Sequence, residues 1–171
     1  MLLIGICGKA RVGKDTAANY LAMKYCLDKY SFATPIRDML LAINVDYTDE
    51  TKELPHPVFG KSPREMMQTL GTEWMRDQVD KNGWLNLAKE RFLCGPKGLV
   101  IPDVRFNNEA EWIRENGLLI YMHSKKVEEV ATHSSENGVQ LVSNKDGVLV
   151  NDGSIQDLYD QIDETINLRP A

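Results

Sequence analysis

The segment Gly8-Lys9-Ala10-Arg11-Val12-Gly13-Lys14-Asp15-Thr16 gathers glycines, a lysine, a carboxylate and a hydroxyl in one short run. Glycines let a backbone curl until successive N–H groups face inward, which makes a concavity for anions. Lys14 adds a full positive charge, and a helix beginning here would add the partial charge of its N-terminus. This combination cradles phosphate and predicts a nucleoside triphosphate as ligand. A Ser or Thr normally follows the lysine and ligates magnesium. Asp15 holds that position here, and it is expected to bind Mg2+ directly or through water, because the ion takes oxygen ligands and keeps its waters. Thr16 is placed to bond an α-phosphate from the first helical turn.

Three other clusters carry chemistry. Arg64 and Gln68 are four residues apart and share one helix face, with Arg76 beyond them. Arginine offers a planar fork to phosphate and a glutamine amide reads a base edge; a solvated face with an ion pair fits the same spacing. Asp103, Arg105 and Glu109 follow an apolar strand. An Asp there orders a metal's water shell, and Arg105 can neutralise charge on a transferred group; a capping Asp paired with Arg105 is the alternative. The polar stretch from Ser124 to Gly138 contains Lys125, Lys126, His133, Ser134, Ser135 and Glu136. It reads as a closing lid with lysines reaching phosphates, or as an exposed loop. His133 has no Cys or His partner at metal-ligand spacing. Asn144-Lys145-Asp146-Gly147 lacks the final Asp of a guanine-reading motif, and Asp103-Val104-Arg105-Phe106 lacks a switch glycine, so a GTPase is disfavoured.

These residues need elements to hold them. Leu2 to Cys7 predicts a buried strand, and residues 14 to 27 a helix with Ala17, Ala18, Leu21, Ala22 and Tyr25 on one side. Tyr30 to Ala33 predicts a short strand, and Pro35 a helix through Ile43. Residues 44 to 61 read as irregular. Ser62-Pro63-Arg64-Glu65 is a capping box that starts a helix, with Gly71 as its expected stop. Asn82-Gly83 precedes a helix with Trp84, Leu85, Ala88 and Phe92 inward. Leu99 to Ile101 is a strand, Asn107 or Asn108 caps the next helix, and Gly117 closes it. Leu118 to Met122 and Gly147 to Val150 are strands, and Ser154 opens a last helix. Alternation of helices with fully apolar strands predicts a parallel sheet covered on both faces, with ligands at the carboxyl ends of its strands. The glycine loop, Asp103 and Asn151 all follow strand ends.

Composition bounds the answer. The 171 residues are 43% hydrophobic and 26% charged, ordinary for a globular domain. A net charge of −5 and a sequence pI near 5.2 disfavour nucleic acid as the main partner. No apolar run approaches the roughly 20 residues of a membrane span, and the N-terminal run lacks the basic leader of a signal peptide. Cys7, Cys26 and Cys94 have no metal-like spacing and read as reduced, mostly buried thiols of a cytoplasmic protein.

Taken in order, these clusters make the chain resemble the bacteriophage deoxynucleoside monophosphate kinases of the P-loop nucleoside monophosphate kinase superfamily. The resemblance rests on Gly8 to Thr16 with its Gly-Lys-Asp-Thr ending, on Phe32-Ala33-Thr34-Pro35-Ile36-Arg37, and on Arg64 through Arg76. It continues in Asp103 through Glu109, in His133-Ser134-Ser135-Glu136 and in Asn151-Asp152-Gly153. It implies an α/β P-loop kinase fold: a five-stranded parallel sheet with helices on both faces, plus acceptor-binding and lid regions. The implied core comprises residues 1–33, 94–122 and 139–171, the acceptor region 34–93 and the lid 123–138. ATP would be the donor, with Mg2+ as cofactor held by Asp15 and Asp103, through water or directly. Gly8 to Thr16 would bind ATP together with Asn151 and Gly153 of an adenine-side loop. Arg37, Arg64, Gln68 and Arg76 would bind the acceptor, and Lys14, Asp103 and Arg105 would act in catalysis. Lys125, Lys126, Ser135 and Glu136 are the lid candidates. Partners would be small-molecule nucleotides and a second copy in a homodimer, in host cytoplasm if the gene is viral. The Gly-Lys-Asp ending is shared with animal phosphomevalonate kinases, so another phosphorylated acceptor, or a non-kinase ATP-binding regulatory module, stays open at this point.

Overall fold

A computed structural model describes residues 1–126 and 138–168. Two compact units emerge: residues 1–30 with 91–171, and residues 31–90.

The first unit is built on a five-stranded parallel sheet in the order β2-β3-β1-β4-β5. Its strands are β1 (Leu3–Cys7), β2 (Asp28–Lys29), β3 (Leu99–Ile101), β4 (Leu118–His123) and β5 (Gly147–Val150). Every residue of β1 is buried, as a central strand covered on both faces requires. Ile4 and Ile6 point to one face, where they pack with Ala17 and Leu21 of α1 (Lys14–Lys24) and Leu158 and Ile162 of α6 (Ile155–Asn167). Gly5 points to the other. A Cβ there would meet Ile113 Cδ1 at 2.4 Å, so the glycine lets α5 (Asn107–Asn116) lie directly on the strand. From β1 the chain first fills one side of the sheet and then crosses by α5 to β4 on the other. That reversal opens a crevice at the carboxyl end of β1.

Local chemistry sets the helix ends. Ser154 caps α6, accepting from the Asp157 N–H while the Asp157 carboxylate accepts from the Ser154 N–H at 2.7 Å. The α5 start differs from expectation: Phe106, not an asparagine, precedes the helix. Glu109, 2% exposed, reaches back to accept from the N–H groups of Arg105 (3.0 Å) and Phe106 (3.1 Å). α1 ends at Lys24 rather than 27, because Cys26 turns the chain at φ 52°. The strand expected over Tyr30 to Ala33 lies earlier, at Asp28–Lys29. It is a sheet edge that, among the described residues, pairs with β3 alone, and it is too short to leave an alternating pattern.

The second unit contains α2 (Thr34–Ala42), an irregular segment, α3 (Pro63–Gln68) and the start of α4 (Gly83–Cys94). The Ser62–Glu65 capping box forms as expected, with the Ser62 N–H donating to Glu65 at 2.8 Å. Gly71 does not stop the helix. The chain continues from α3 in a π-helical stretch over Thr69–Val79. Gly71 is buried inside it for packing reasons: a Cβ would sit 3.0 Å from Ile36 Cδ1, and its carbonyl accepts from Trp84 Nε1 at 2.8 Å. Among the cysteines only Cys7 is buried. Cys26 lies in the turn after α1 and Cys94 ends α4, both exposed, which corrects the expectation of mostly buried thiols.

Candidate active site

The glycine loop leaves the carboxyl end of β1 and enters α1 at Lys14. Positive φ angles at Gly8 (139°), Arg11 (65°) and Gly13 (97°) reverse the chain within one short turn. At two of these positions an added side chain would also meet a neighbour, backbone in the first case and a movable side chain in the second. A Cβ on Gly8 would lie 2.0 Å from the Met122 carbonyl oxygen, and one on Gly13 would lie 2.6 Å from Asn151 Nδ2. Lys9, Ala10 and Arg11 form the exposed rim, while Val12 is buried and anchors the loop in the core. Lys14 folds over the loop and donates to the carbonyls of Gly8 (2.8 Å) and Lys9 (2.6 Å). Burial, and then the Arg105 guanidinium, pull the Lys14 pKa below its ordinary value; Asp15, the Cys7 thiol and Asp103 oppose them. Lys14, Asp15, Asp103 and Arg105 therefore share one electrostatic neighbourhood. Thr16 sits half-buried in the first turn of α1.

Asp15 is 81% exposed and accepts from Lys29 Nζ at 2.8 Å; the same ammonium donates to Asn19 Oδ1 at 2.9 Å. Sequence reasoning missed Lys29: with the strand expected over Tyr30 to Ala33, this residue fell ahead of it rather than at its carboxyl end. Asp103 and Arg105 occupy the loop after β3. The Val104 N–H ties that loop to the Ile6 carbonyl at 3.2 Å, and Glu109 ties its far end. Glu109 thus sets the backbone of Arg105 through the helix start. The Tyr30 phenol, raised by burial and then by Asp103, lies near the same loop.

The Asn151-Asp152-Gly153 turn after β5 reaches two neighbours. Asn151 Nδ2 donates to the Val12 carbonyl at 3.0 Å, and the Asn151 N–H donates to the His123 carbonyl at 2.9 Å. Asp152 Oδ1 accepts from Ser124 Oγ (2.9 Å) and the Lys125 N–H (2.8 Å), bonds that hold its carboxyl below the ordinary value. Gly153 fits against Asp157 Oδ2, 2.4 Å from where its Cβ would be. The Lys125 and Lys126 side chains are exposed. Ser135 and Glu136, with His133 and Ser134, lie outside the described residues.

The acceptor candidates belong to the second unit. Arg37 of α2 lies over the Tyr47 ring, 5.3 Å from its centroid. Arg64 Nη1 pairs with Glu53 Oε1 at 2.7 Å, and the Arg64 N–H donates to the Lys52 carbonyl at 3.0 Å. Gln68 is half-buried at the end of α3, and Arg76 is buried in the π-helical stretch. Trp84 belongs to the core. In the Asn144 to Gly147 segment Asp146 is engaged by both Nε (2.8 Å) and Nη2 (2.7 Å) of Arg114, which commits it to the protein rather than to a base.

A parallel sheet whose central strand feeds a lysine-bearing glycine loop and a helix start defines a P-loop kinase fold. The same fold is seen in a sugar kinase from Janibacter and a gluconokinase from Sinorhizobium meliloti. The first has a TM-score of 0.50 at 14% identity, covering 99% of this chain and 96% of that one. The second has a TM-score of 0.55 at 10% identity, covering 97% and 91%. A family model described as deoxynucleotide monophosphate kinase matches residues 2–59 and 59–162, and the chain belongs to that family. A protein of Acanthamoeba polyphaga mimivirus that carries the family's name is 36% identical over 95% of this chain and 94% of its own length. The deoxynucleotide monophosphate kinase of Enterobacteria phage T4 is 25% identical over 98% and 100%. The deoxynucleoside-5'-monophosphate kinase of Escherichia phage T5 is 31% identical over 73% of this chain and 58% of its own.

Proposed function

We propose that this chain transfers the γ-phosphoryl of ATP to the 5′-phosphate of a deoxynucleoside monophosphate, yielding the diphosphate and ADP for DNA synthesis. The observation that carries the reading is Lys14 drawn over a glycine loop at the carboxyl end of β1, with Arg105 and two carboxylates in its field. The acceptor oxygen is already anionic near neutral pH, so a strong general base is not needed. What the protein must do is hold two polyanions in line and exclude water.

In this reading the loop from Gly8 to Thr16 grips the donor phosphates, and Lys14 bridges the two outermost ones. Arg105 neutralises charge growing on the transferred group. Asn151 and Gly153 stand on the adenine side. Arg64 and Arg76 bind the acceptor phosphate with help from Arg37, and Gln68 reads the base. Asp15 and Asp103 offer the hard oxygen ligands that Mg2+ prefers, and both act on the charge of Lys14. Held there, the ion would supply charge neutralisation between phosphates. The core is residues 1–33, 94–122 and 139–171, the acceptor region 34–93 and the lid 123–138, with Lys125 and Lys126 reaching for the phosphates and Ser135 and Glu136 as further lid candidates. A cytoplasmic homodimer, with nucleotides rather than nucleic acid as ligands, completes the proposal.

Two substitutions test it. Lys14→Ala is expected to lose at least about 2.7 kcal/mol of transition-state stabilisation, roughly 100-fold in turnover. Arg64→Ala is expected to raise the KM for the deoxynucleotide while ATP binding stays intact. Near-normal turnover in the first would remove Lys14 from the mechanism. An unchanged acceptor KM in the second would remove Arg64 from the acceptor site.

A further inference from the structure

The side chain of Asn151 is committed to the protein. Its Nδ2 donates to the Val12 carbonyl at 3.0 Å, and its backbone N–H is tied to the His123 carbonyl at the end of β4. It also fills the space beside Gly13, where a Cβ would come within 2.6 Å of Nδ2 and 3.2 Å of Met122 Cε. Val12 is buried, so the peptide between Val12 and Gly13 is gripped from two sides: by the core through its side chain, and by Asn151 through its carbonyl.

A peptide plane is rigid, so fixing the carbonyl of Val12 fixes the direction of the Gly13 N–H. Left free, a peptide flanked by a glycine can flip at little steric cost. A flip would carry the Gly13 N–H away and turn a carbonyl dipole to the position meant for an anion. We infer that Asn151 is a positioning residue for the phosphate loop: its amide locks the Val12–Gly13 peptide so that the Gly13 N–H is held ready for a phosphate oxygen. This rests on the proposed kinase reading and refines the adenine-side role of Asn151 by giving its side chain a structural partner. It also explains the pairing of residues distant in sequence, since Gly13 must lack a Cβ for Asn151 to reach Val12.

The chemistry supplies a test that a purely structural contact would not satisfy. Asn151→Ala removes the donor. Asn151→Asp keeps the size but sets a carboxylate against a carbonyl oxygen, a repulsion that protonation converts back into a donated hydrogen bond. ATP affinity and steady-state kinetics with a deoxynucleotide acceptor are measured for the wild-type protein and both variants from pH 5.5 to pH 8, with melting curves to establish folding. Asn151→Ala is expected to weaken ATP binding about five- to tenfold, the worth of one hydrogen bond, while the KM for the acceptor is unchanged. At pH 8 Asn151→Asp should bind ATP at least about threefold worse than Asn151→Ala, and the gap should close as pH falls. Comparing the variants with each other cancels every pH effect that the two share. Wild-type ATP affinity in Asn151→Ala, or a ratio of the two variants that stays flat with pH, overturns the inference. A wild-type protein that makes no deoxynucleoside diphosphate would instead sink the kinase reading.

Discussion

The pairing of Arg114 with Asp146 gives a stability prediction whose size follows from burial. The Asp146 side chain is 0% exposed and that of Arg114 only 12%. Three groups serve the carboxylate: Arg114 Nε at 2.8 Å, Arg114 Nη2 at 2.7 Å and the Val142 N–H at 2.7 Å. Arg114 Nη2 also donates to the Gln140 carbonyl at 2.8 Å. In Arg114→Met the carboxylate keeps one partner of three and stays out of water. Breaking a buried pair in this way costs about 3–5 kcal/mol, which for a chain of this size lowers Tm by about 6–20 °C. The double variant Arg114→Met/Asp146→Leu removes the stranded charge. What then remains is chiefly the unpaired Val142 N–H, about 1 kcal/mol, because Gln140 is exposed and water can serve its carbonyl. The cycle should return a coupling of at least about 2 kcal/mol. Calorimetric or circular-dichroism melts at pH 7 on the wild type, both single variants and the double supply the numbers. A single variant that loses less than about 1 kcal/mol, or a double variant no better than the singles, refutes the reasoning.

Other consequences are read from the loop itself. Gly8→Ala forces a Cβ onto a backbone at φ 139° and against the Met122 carbonyl; strain of about 1–3 kcal/mol should lower Tm by about 2–12 °C and weaken ATP binding, and an unaltered melt would show the loop to be plastic. The Lys14 pKa is lowered in the free protein, and phosphate oxygens must raise it again, so binding takes up a proton between the two values. Below that window Lys14 is charged in both states, whereas ATP affinity should fall as pH rises through it. Calorimetry in buffers of different ionisation enthalpy should register the uptake in the alkaline range and lose it in Lys14→Met; equal heats at every pH would contradict the assignment.

Much of the site was legible because its logic is local. A run of five buried strand residues, glycines where φ is positive and a lysine at the helix start are all encoded within the first turn of the fold. The Ser62 box was equally plain, since it needs only two residues three apart, and Ser154 was legible as a helix start, although its box with Asp157 was not read. Long-range geometry was not legible. Gly71 reads as a helix stop in sequence, yet it serves the approach of Ile36 and Trp84 while the helix continues. Glu109 falls in a run of catalytic-looking residues and acts as a cap. Lys29, Arg114 and the Asn151 amide all act on residues far along the chain or across strands, where no spacing rule points. Cys26 lies in the turn after α1 and Cys94 at the end of α4, exposed places that composition does not register.

The central claim is phosphoryl transfer between nucleotides, and one measurement reaches it directly. Purified protein is incubated with ATP, Mg2+ and each deoxynucleoside and ribonucleoside monophosphate in turn, and the products are separated and identified. Formation of a deoxynucleoside diphosphate with one ADP released per product is the predicted result. ADP release without any phosphorylated nucleotide, or none of either across the whole set, would contradict the account.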